Sequence, residues 1–234
     1  MIFPGSDPGP CSQGLSRLER QAMDKPLPAK LTRVILFTAA YMAMTGTVAF
    51  VAGTPGLAMY LGLMCVLIPS LYLLHRRHPL SAALVWCFSV WGLAHMAGGL
   101  LPIPGAWSRE GAHAVLYSWW IVPGYLKYDQ VVHAYGFGIT TWLCWHLFRS
   151  ALRSPDGTSV PPSFLILMLC VAGGMGFGAL NEVVEFFATR LLPDTNVGDY
   201  ENIGWDLVAN LAGSLVAAAV IRRFEQKRLQ CPGG

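Results

Sequence analysis

The chain has 234 residues, of which 54% are hydrophobic and only 12% are charged. Soluble domains carry roughly 25% charged residues, so this composition excludes an ordinary soluble protein and predicts one that faces lipid. The net charge of +3 comes mainly from basic residues at the ends of apolar segments, so it bears on orientation in a membrane and gives no support for nucleic-acid binding.

Six apolar segments have about the 20 residues that a helix needs to cross a bilayer. They predict an all-α fold, a polytopic transmembrane bundle of about six helices within residues 31–221. A polar N-terminal segment, 1–30, precedes this bundle, and a basic tail, 222–234, follows it. The six predicted helices cover residues 31–52, 57–74, 80–101, 127–149, 161–189 and 203–221.

One connection between the predicted helices is long. Residues 102–126 separate the third helix from the fourth and contain Trp107, Tyr117, Trp119 and Trp120 among several prolines. Tryptophan and tyrosine at this density are typical of a segment that lies along the interface between membrane and water. We therefore expect this connection to lie at the membrane surface.

The distribution of basic residues predicts that both termini are cytoplasmic. Of the 16 Lys and Arg residues, 13 then lie in cytoplasmic segments, and Arg109, Lys127 and Arg190 lie on the outer side. Cytoplasmic loops of membrane proteins carry an excess of Lys and Arg, so the opposite orientation would violate that rule. The connection 102–126 is therefore predicted to lie on the extracytoplasmic side.

Acids and histidines gather near the outer ends of four predicted helices. Such groups are expensive inside a membrane and mark functional sites by default. Residues spaced by three or four positions share one face of a helix, and three pairs here have that spacing. At about 1.5 Å per residue, all of these groups lie within about 10 Å of one membrane surface. They are His95 in the third helix, Asp129 and His133 in the fourth, Glu182 and Glu185 in the fifth, and Asp206 in the sixth, where the polar residue Asn210 lies on the same face.

Imidazole and carboxylate groups together suit a divalent metal such as zinc, manganese or iron. A bound cation would also relieve the repulsion among four acids packed together. The alternative is a polar network that only holds the helices together through hydrogen bonds. Under the metal hypothesis, the ligands are His95, Asp129, His133 and Asp206, the catalytic groups are Glu182 and Glu185, and the substrate-binding groups are Asn210 and Arg190.

The segments YDQVVHAYGFG, NEVVEFF and WDLVANLAG carry a resemblance to known families. The chain resembles the YjdF-like family of bacterial inner-membrane proteins of unknown function and, more distantly, the VanZ-like family. The shared order is an Asp-x-x-x-His helix, a Glu-containing helix and a final Asp-x-x-x-Asn-x-x-Gly helix, which here ends on Gly213. The resemblance implies a multi-pass protein of the bacterial inner (plasma) membrane and, through the VanZ-like name, a link to glycopeptide resistance.

Three functions fit these features. The first is a metal-dependent enzyme that acts on a lipid or cell-envelope precursor, in which a metal activates water and a carboxylate moves the proton. The second is a protein that binds or transports a cation or a cationic ligand. The inner halves of the last three predicted helices are almost free of ionisable groups, which argues against a path through the membrane. The third is an envelope assembly factor, for which no residue pattern argues directly.

Overall fold

A computed structural model describes residues 29–53, 57–111, 113–152, 160–191 and 200–230. It contains six long helices, which confirms the predicted fold class. The remainder of the predicted N-terminal segment and the last four residues of the predicted tail lie outside the described residues. The helices are α1 (Ala29–Ala52), α2 (Leu57–Arg77), α3 (Ala82–Leu100), α4 (Tyr128–Ala151), α5 (Phe164–Leu191) and α6 (Tyr200–Gln230).

Five of these helices are long and apolar enough to cross a membrane, namely α1, α2, α3, α5 and α6. Large apolar side chains such as Phe50 and Phe164 are exposed on the bundle, as a surface that faces lipid requires. The helix α4 is not among the five, because its histidines and other polar residues lower its hydropathy. Its 24 residues still give it a length of about 36 Å, which is enough to cross a bilayer.

The helix α4 packs against α3, α5 and α6, so its polar residues have protein neighbours. It meets α6 at Gly213, where a Cβ atom would overlap the backbone carbonyl of Ala134 in α4. Gly138, one turn further along α4, packs against the backbone of Gly213 in the same contact. Small residues let membrane helices approach this closely. The first two turns of α4 therefore lie directly against the first part of α6.

The connection 102–126 folds as an irregular hairpin, which the sequence analysis did not predict. Strand β1 (Trp120–Val122) pairs antiparallel with β2 (Leu126–Lys127), and the turn between them contains Gly124 with a φ of 75°. Glycine adopts this left-handed conformation without the steric cost that other residues have. A single 3₁₀ turn before β1 carries Tyr117, which is buried against the bundle. The hairpin thereby packs onto the end of the bundle at which α4 begins.

The helix boundaries agree with the predicted ones to within a few residues, except in α6. That helix begins three residues before the predicted start at 203 and continues nine residues beyond the predicted end at 221. The apolar segment ends there, but the helix does not, because Arg and Gln are good helix formers. Arg149 at the end of α4 forms an ion pair of 2.6 Å with Glu225, which joins this extension to the bundle.

Candidate functional site

The side chain of His133 contacts residues of three helices. It lies at the end of the bundle onto which the connection 102–126 packs. It lies in the second turn of α4 and is only 6% exposed. Its Nε2 atom is 3.5 Å from Oδ1 of Asp129, one turn earlier in the same helix. On the other side of the ring, Nδ1 is 3.2 Å from Oδ1 of Asn210 in α6 and 3.4 Å from Oε1 of Glu182 in α5.

These contacts identify the ring nitrogen that carries the hydrogen. The amide oxygen of Asn210 can only accept a hydrogen bond, so Nδ1 of His133 must donate. In a neutral imidazole the other nitrogen then has a free lone pair. In this neutral form Nε2 of His133 is available as a metal ligand, and it is the nitrogen that lies near the carboxylate of Asp129.

Asp206 in α6 is the most enclosed acid of the site, with no solvent-exposed surface. Asn202, one turn earlier, donates from Nδ2 to Oδ2 of Asp206 at 2.5 Å and to Oδ2 of Asp129 at 3.3 Å. The other oxygen of Asp206, Oδ1, is buried without a hydrogen-bond partner among the described residues. A buried carboxylate oxygen without a partner is costly, and it is the atom that a cation would bind.

Asp129, His133 and Asp206 form a group whose ligand atoms all lie within 4.8 Å of one another. Three such atoms share a point no more than about 2.8 Å from each, which is about 0.6–0.8 Å longer than the 2.0–2.2 Å bonds of zinc. The 3.5 Å between His133 and Asp129 already matches the separation of about 3.4 Å between two ligands of a tetrahedral ion. Small rotations of the carboxylates would shorten the distances from the ligand atoms to the shared point to those of a bound zinc ion. The structure therefore brings together three of the four predicted ligands.

The two predicted catalytic glutamates have different surroundings. Glu182 is 5% exposed, and its Oε1 atom lies 3.4 Å from Nδ1 of His133. Glu185, one turn further along α5, accepts a hydrogen bond of 2.6 Å from Nδ2 of Asn181. Glu182 is thus positioned to orient the imidazole, whereas Glu185 is held by an amide of its own helix.

His95, the fourth predicted ligand, is not part of the group of three. Its Nδ1 atom lies 2.6 Å from the hydroxyl of Tyr117 in the connection. Its ring stacks on Trp91 at a centroid distance of 5.5 Å and lies 5.3 Å from the ring of Tyr60. Burial raises the pKa of Tyr117 well above its usual value, and the nearby Tyr60 and Asp129 raise it further. The hydroxyl therefore stays protonated and forms a neutral hydrogen bond with His95.

The two predicted substrate-binding residues lie in different places. Asn210 is fully buried and bonds to His133, as described above. Its Nδ2 atom is buried without a hydrogen-bond partner in the described ranges. Arg190 is exposed near the end of α5, and its guanidinium lies 5.8 Å from the ring of Phe186. The structure thus places Asn210 in the site and Arg190 on the surface of the bundle.

Two residues of the site were not identified from the sequence, Asn202 and Lys127. Lys127 is only 6% exposed, and its ammonium donates to Oδ1 of Asn202 and lies 2.9 Å from Oε2 of Glu110. It also lies 5.7 Å from the ring of Trp120. The position of Asn202, four residues before Asp206, is a signal that could have identified it. The predicted helix began one residue too late for that spacing to be considered.

The comparisons with known proteins give one result. A family model with the description "Predicted membrane protein (DUF2238)" matches residues 31–227, which include all six helices apart from their outermost residues. No curated protein and no solved structure matches the chain. The distant resemblance to the VanZ-like family stays a prediction.

Proposed function

This chain belongs to the DUF2238 family of predicted membrane proteins, and we propose that it is a metal-dependent enzyme that acts on a lipid or cell-envelope precursor. A divalent ion, with zinc, manganese and iron as the candidates, is bound by Asp129, His133 and Asp206 near one end of the bundle. The sequence predicts that this end is extracytoplasmic. The substrate would then reach the site from the outer leaflet.

One observation supports this proposal most strongly, the convergence of three ligand atoms from α4 and α6 within 4.8 Å. The surrounding hydrogen bonds engage the other polar atom of His133 and of Asp206 and leave the atoms that a metal would bind. Nδ1 of His133 is occupied by Asn210, which leaves Nε2, and Asn202 occupies Oδ2 of Asp206, which leaves Oδ1. Metal-bound histidines usually donate their second ring nitrogen to a carbonyl or carboxylate in this way.

The charges of the site also favour a cation. Four carboxylates, those of Asp129, Glu182, Glu185 and Asp206, lie on two adjacent helices and on the start of α4. In a low-dielectric interior their mutual repulsion is weakly screened, and unpaired buried charges cost several kcal/mol each. Lys127 offsets part of this charge, although Asn202 separates its ammonium from the carboxylates. A divalent ion supplies two further positive charges at the point where they are needed.

Three protein ligands leave a fourth position open, which is the arrangement of catalytic rather than structural zinc sites. A metal in such a site lowers the pKa of a bound water molecule and supplies a hydroxide nucleophile. Glu182 orients the imidazole of His133, and Glu185 is the carboxylate that we assign to proton transfer. Asp129, with a side chain that is 15% exposed, marks the side from which the substrate approaches.

The experiment uses the full chain purified in detergent. Metal content is measured by mass spectrometry, and affinity is measured by competition with a chelating dye. The variant His133→Gln should lose the metal. The matched control is His146→Gln, because His146 lies in the same helix and contacts the backbone carbonyl of Pro79 at the other end of the bundle.

The reaction is then examined with a bacterial lipid extract. Incubation with the metal-loaded protein should produce a new lipid species that His133→Gln and Glu185→Gln do not produce. If the wild-type protein binds no more metal than His133→Gln, the metal site is disproved. If the wild-type protein binds the metal but leaves the lipid extract unchanged, the enzymatic assignment fails and binding alone remains.

The burial of the site favours a second candidate function, a protein that binds or transports a cation. Asp206 has no exposed surface, and only Asp129 among the three candidate ligands is partly exposed. An ion passes through such a narrow access more readily than a lipid does. Metal-dependent fluorescence of a dye enclosed in proteoliposomes distinguishes the two, because an enzyme would convert lipid without moving the ion across the membrane.

A further inference from the structure

We infer that Asn202 is a positioning residue for the proposed metal site and that Lys127 determines the orientation of its amide. The inference rests on the proposed function insofar as it concerns metal affinity. It extends that function by linking the site to the connection 102–126, since Lys127 is also bound by Glu110 of that connection.

The first step is the contact between Asn202 and the two aspartates. An asparagine amide has two N–H donors on Nδ2, and here this atom donates to Oδ2 of Asp206 and Oδ2 of Asp129. One amide thus holds two carboxylates that come from different helices. Both Oδ2 atoms are fixed on the same group, so the two Oδ1 atoms are the ones left to face His133.

The second step is the contact between Lys127 and Asn202. The two ends of an asparagine amide have nearly the same shape, and only hydrogen bonding decides which end points where. An ammonium group can only donate, so Lys127 bonds to the carbonyl oxygen of Asn202. The NH₂ end must then face the carboxylates. If the amide were reversed, its oxygen would face two acids and its NH₂ group would face a cation.

The third step concerns the environment of Lys127. Its side chain is 7% exposed and lies over Trp120, so it cannot leave the site without breaking packing contacts. Its acidic partner Glu110 is different, because 48% of that side chain is exposed. A ligand or a movement that draws Glu110 away would change the charge balance at Lys127 and, through Asn202, at the two aspartates. The connection is thereby coupled to the metal site.

The experiment measures zinc affinity for Asn202→Ala, Lys127→Met and the double variant, in the full chain and by competition with a chelating dye. Loss of a residue that orients metal ligands typically weakens affinity by roughly 10- to 100-fold, and we expect this for Asn202→Ala. Lys127→Met should have a smaller effect. The double variant should bind no more weakly than Asn202→Ala, because Lys127 acts through Asn202.

The matched control is Asn181→Ala, because Asn181 binds Glu185 and not the aspartates. It should keep wild-type zinc affinity to within about threefold, a small part of the range expected for Asn202. Asn202→Gln keeps the amide and should recover part of the affinity that Asn202→Ala loses. Affinity of Asn202→Ala equal to that of the wild type, or fully additive effects in the double variant, would overturn the inference.

A second measurement does not depend on metal. The ring nitrogens of His133 are observed by NMR in metal-free protein labelled with ¹⁵N-histidine, and they are assigned with His133→Gln. Release of the carboxylates in Asn202→Ala should shift the Nε2 signal, because Asp129 is its neighbour. An unchanged signal would refute positioning by Asn202. A shifted signal in a protein that binds no metal would refute the proposed function and leave the positioning role intact.

Discussion

Nδ1 of His133 lies 3.4 Å from Oε1 of Glu182, and this contact joins the central histidine of the site to α5. Since Nε2 is the nitrogen available to a metal, Glu182 should support the ligand and not be a ligand itself. Glu182→Gln keeps an oxygen that accepts from Nδ1 but removes the negative charge. We therefore expect it to weaken metal affinity by roughly tenfold, at the lower end of the range for groups that orient a ligand.

The comparison that checks this prediction is Asp206→Asn, measured in the same dye competition. That substitution removes the charge of a carboxylate whose free oxygen belongs to the group of three ligands, so it should abolish binding in the measurable range. If Glu182→Gln lost affinity to the same extent, Glu182 would be a metal ligand and the assignment of roles would be wrong.

The pair formed by His95 and Tyr117 leads to a second prediction. The hydroxyl of Tyr117 is the partner of a buried ring nitrogen at 2.6 Å, so Tyr117→Phe leaves that nitrogen without its hydrogen-bond partner. We expect a loss of about 1–3 kcal/mol in the free energy of unfolding, with unchanged metal content. Thermal unfolding in detergent and metal analysis of the same sample give both values.

The control for this prediction is Tyr125→Phe, which removes a hydroxyl from the same connection. The side chain of Tyr125 is 84% exposed, so this substitution should leave the unfolding temperature unchanged. Loss of the metal in Tyr117→Phe with retained stability would instead show that His95 belongs to the metal site, as the sequence analysis expected.

Gly213 carries the close contact between α4 and α6 and leads to a third prediction. A methyl group at this position would overlap the carbonyl of Ala134, which is backbone and cannot rotate away. Gly213→Ala should therefore push the two helices apart, with a loss of about 1–3 kcal/mol in stability. Because the ligands Asp129 and Asp206 come from these two helices, metal affinity should fall as well.

Gly176 in α5 provides the matched control, because a Cβ atom added there meets no atom within 4 Å. Gly176→Ala should leave both the unfolding temperature and the metal affinity at or slightly above the wild-type values, since alanine favours helix. Equal behaviour of the two alanine variants would contradict the close contact at Gly213.

Much of the fold and part of the site followed from local features of the sequence. Hydropathy alone indicated six helices, because each apolar segment is long enough to cross a bilayer. The spacing of Asp129 and His133 placed them on one face, and the structure shows their side chains 3.5 Å apart. Such relations depend on helix geometry, which is the same in every protein.

The residues that the sequence analysis missed or placed elsewhere depend on contacts between distant segments. Tyr117 lies in the connection, and no local pattern indicates that it would fold back to bind His95. Lys127 was interpreted only as a basic residue at the outer end of a helix, whereas it is buried against Asn202 and Glu110. Neither position could be inferred without knowing how the hairpin packs onto the bundle.

The orientation of the bundle is the last prediction, and it rests on the 13 Lys and Arg residues assigned to the cytoplasmic side against 3 on the outer side. Tyr125 at the tip of the hairpin and Ser150 at the far end of α4 are both exposed, so a cysteine at either position can react. In a background without the six native cysteines, Tyr125→Cys should react with a membrane-impermeant maleimide in intact cells or spheroplasts. Ser150→Cys should react only after the membrane is opened. The reverse pattern would place the metal site on the cytoplasmic side and exclude an outer-leaflet substrate, because α4 has the length to separate the two ends by a full bilayer.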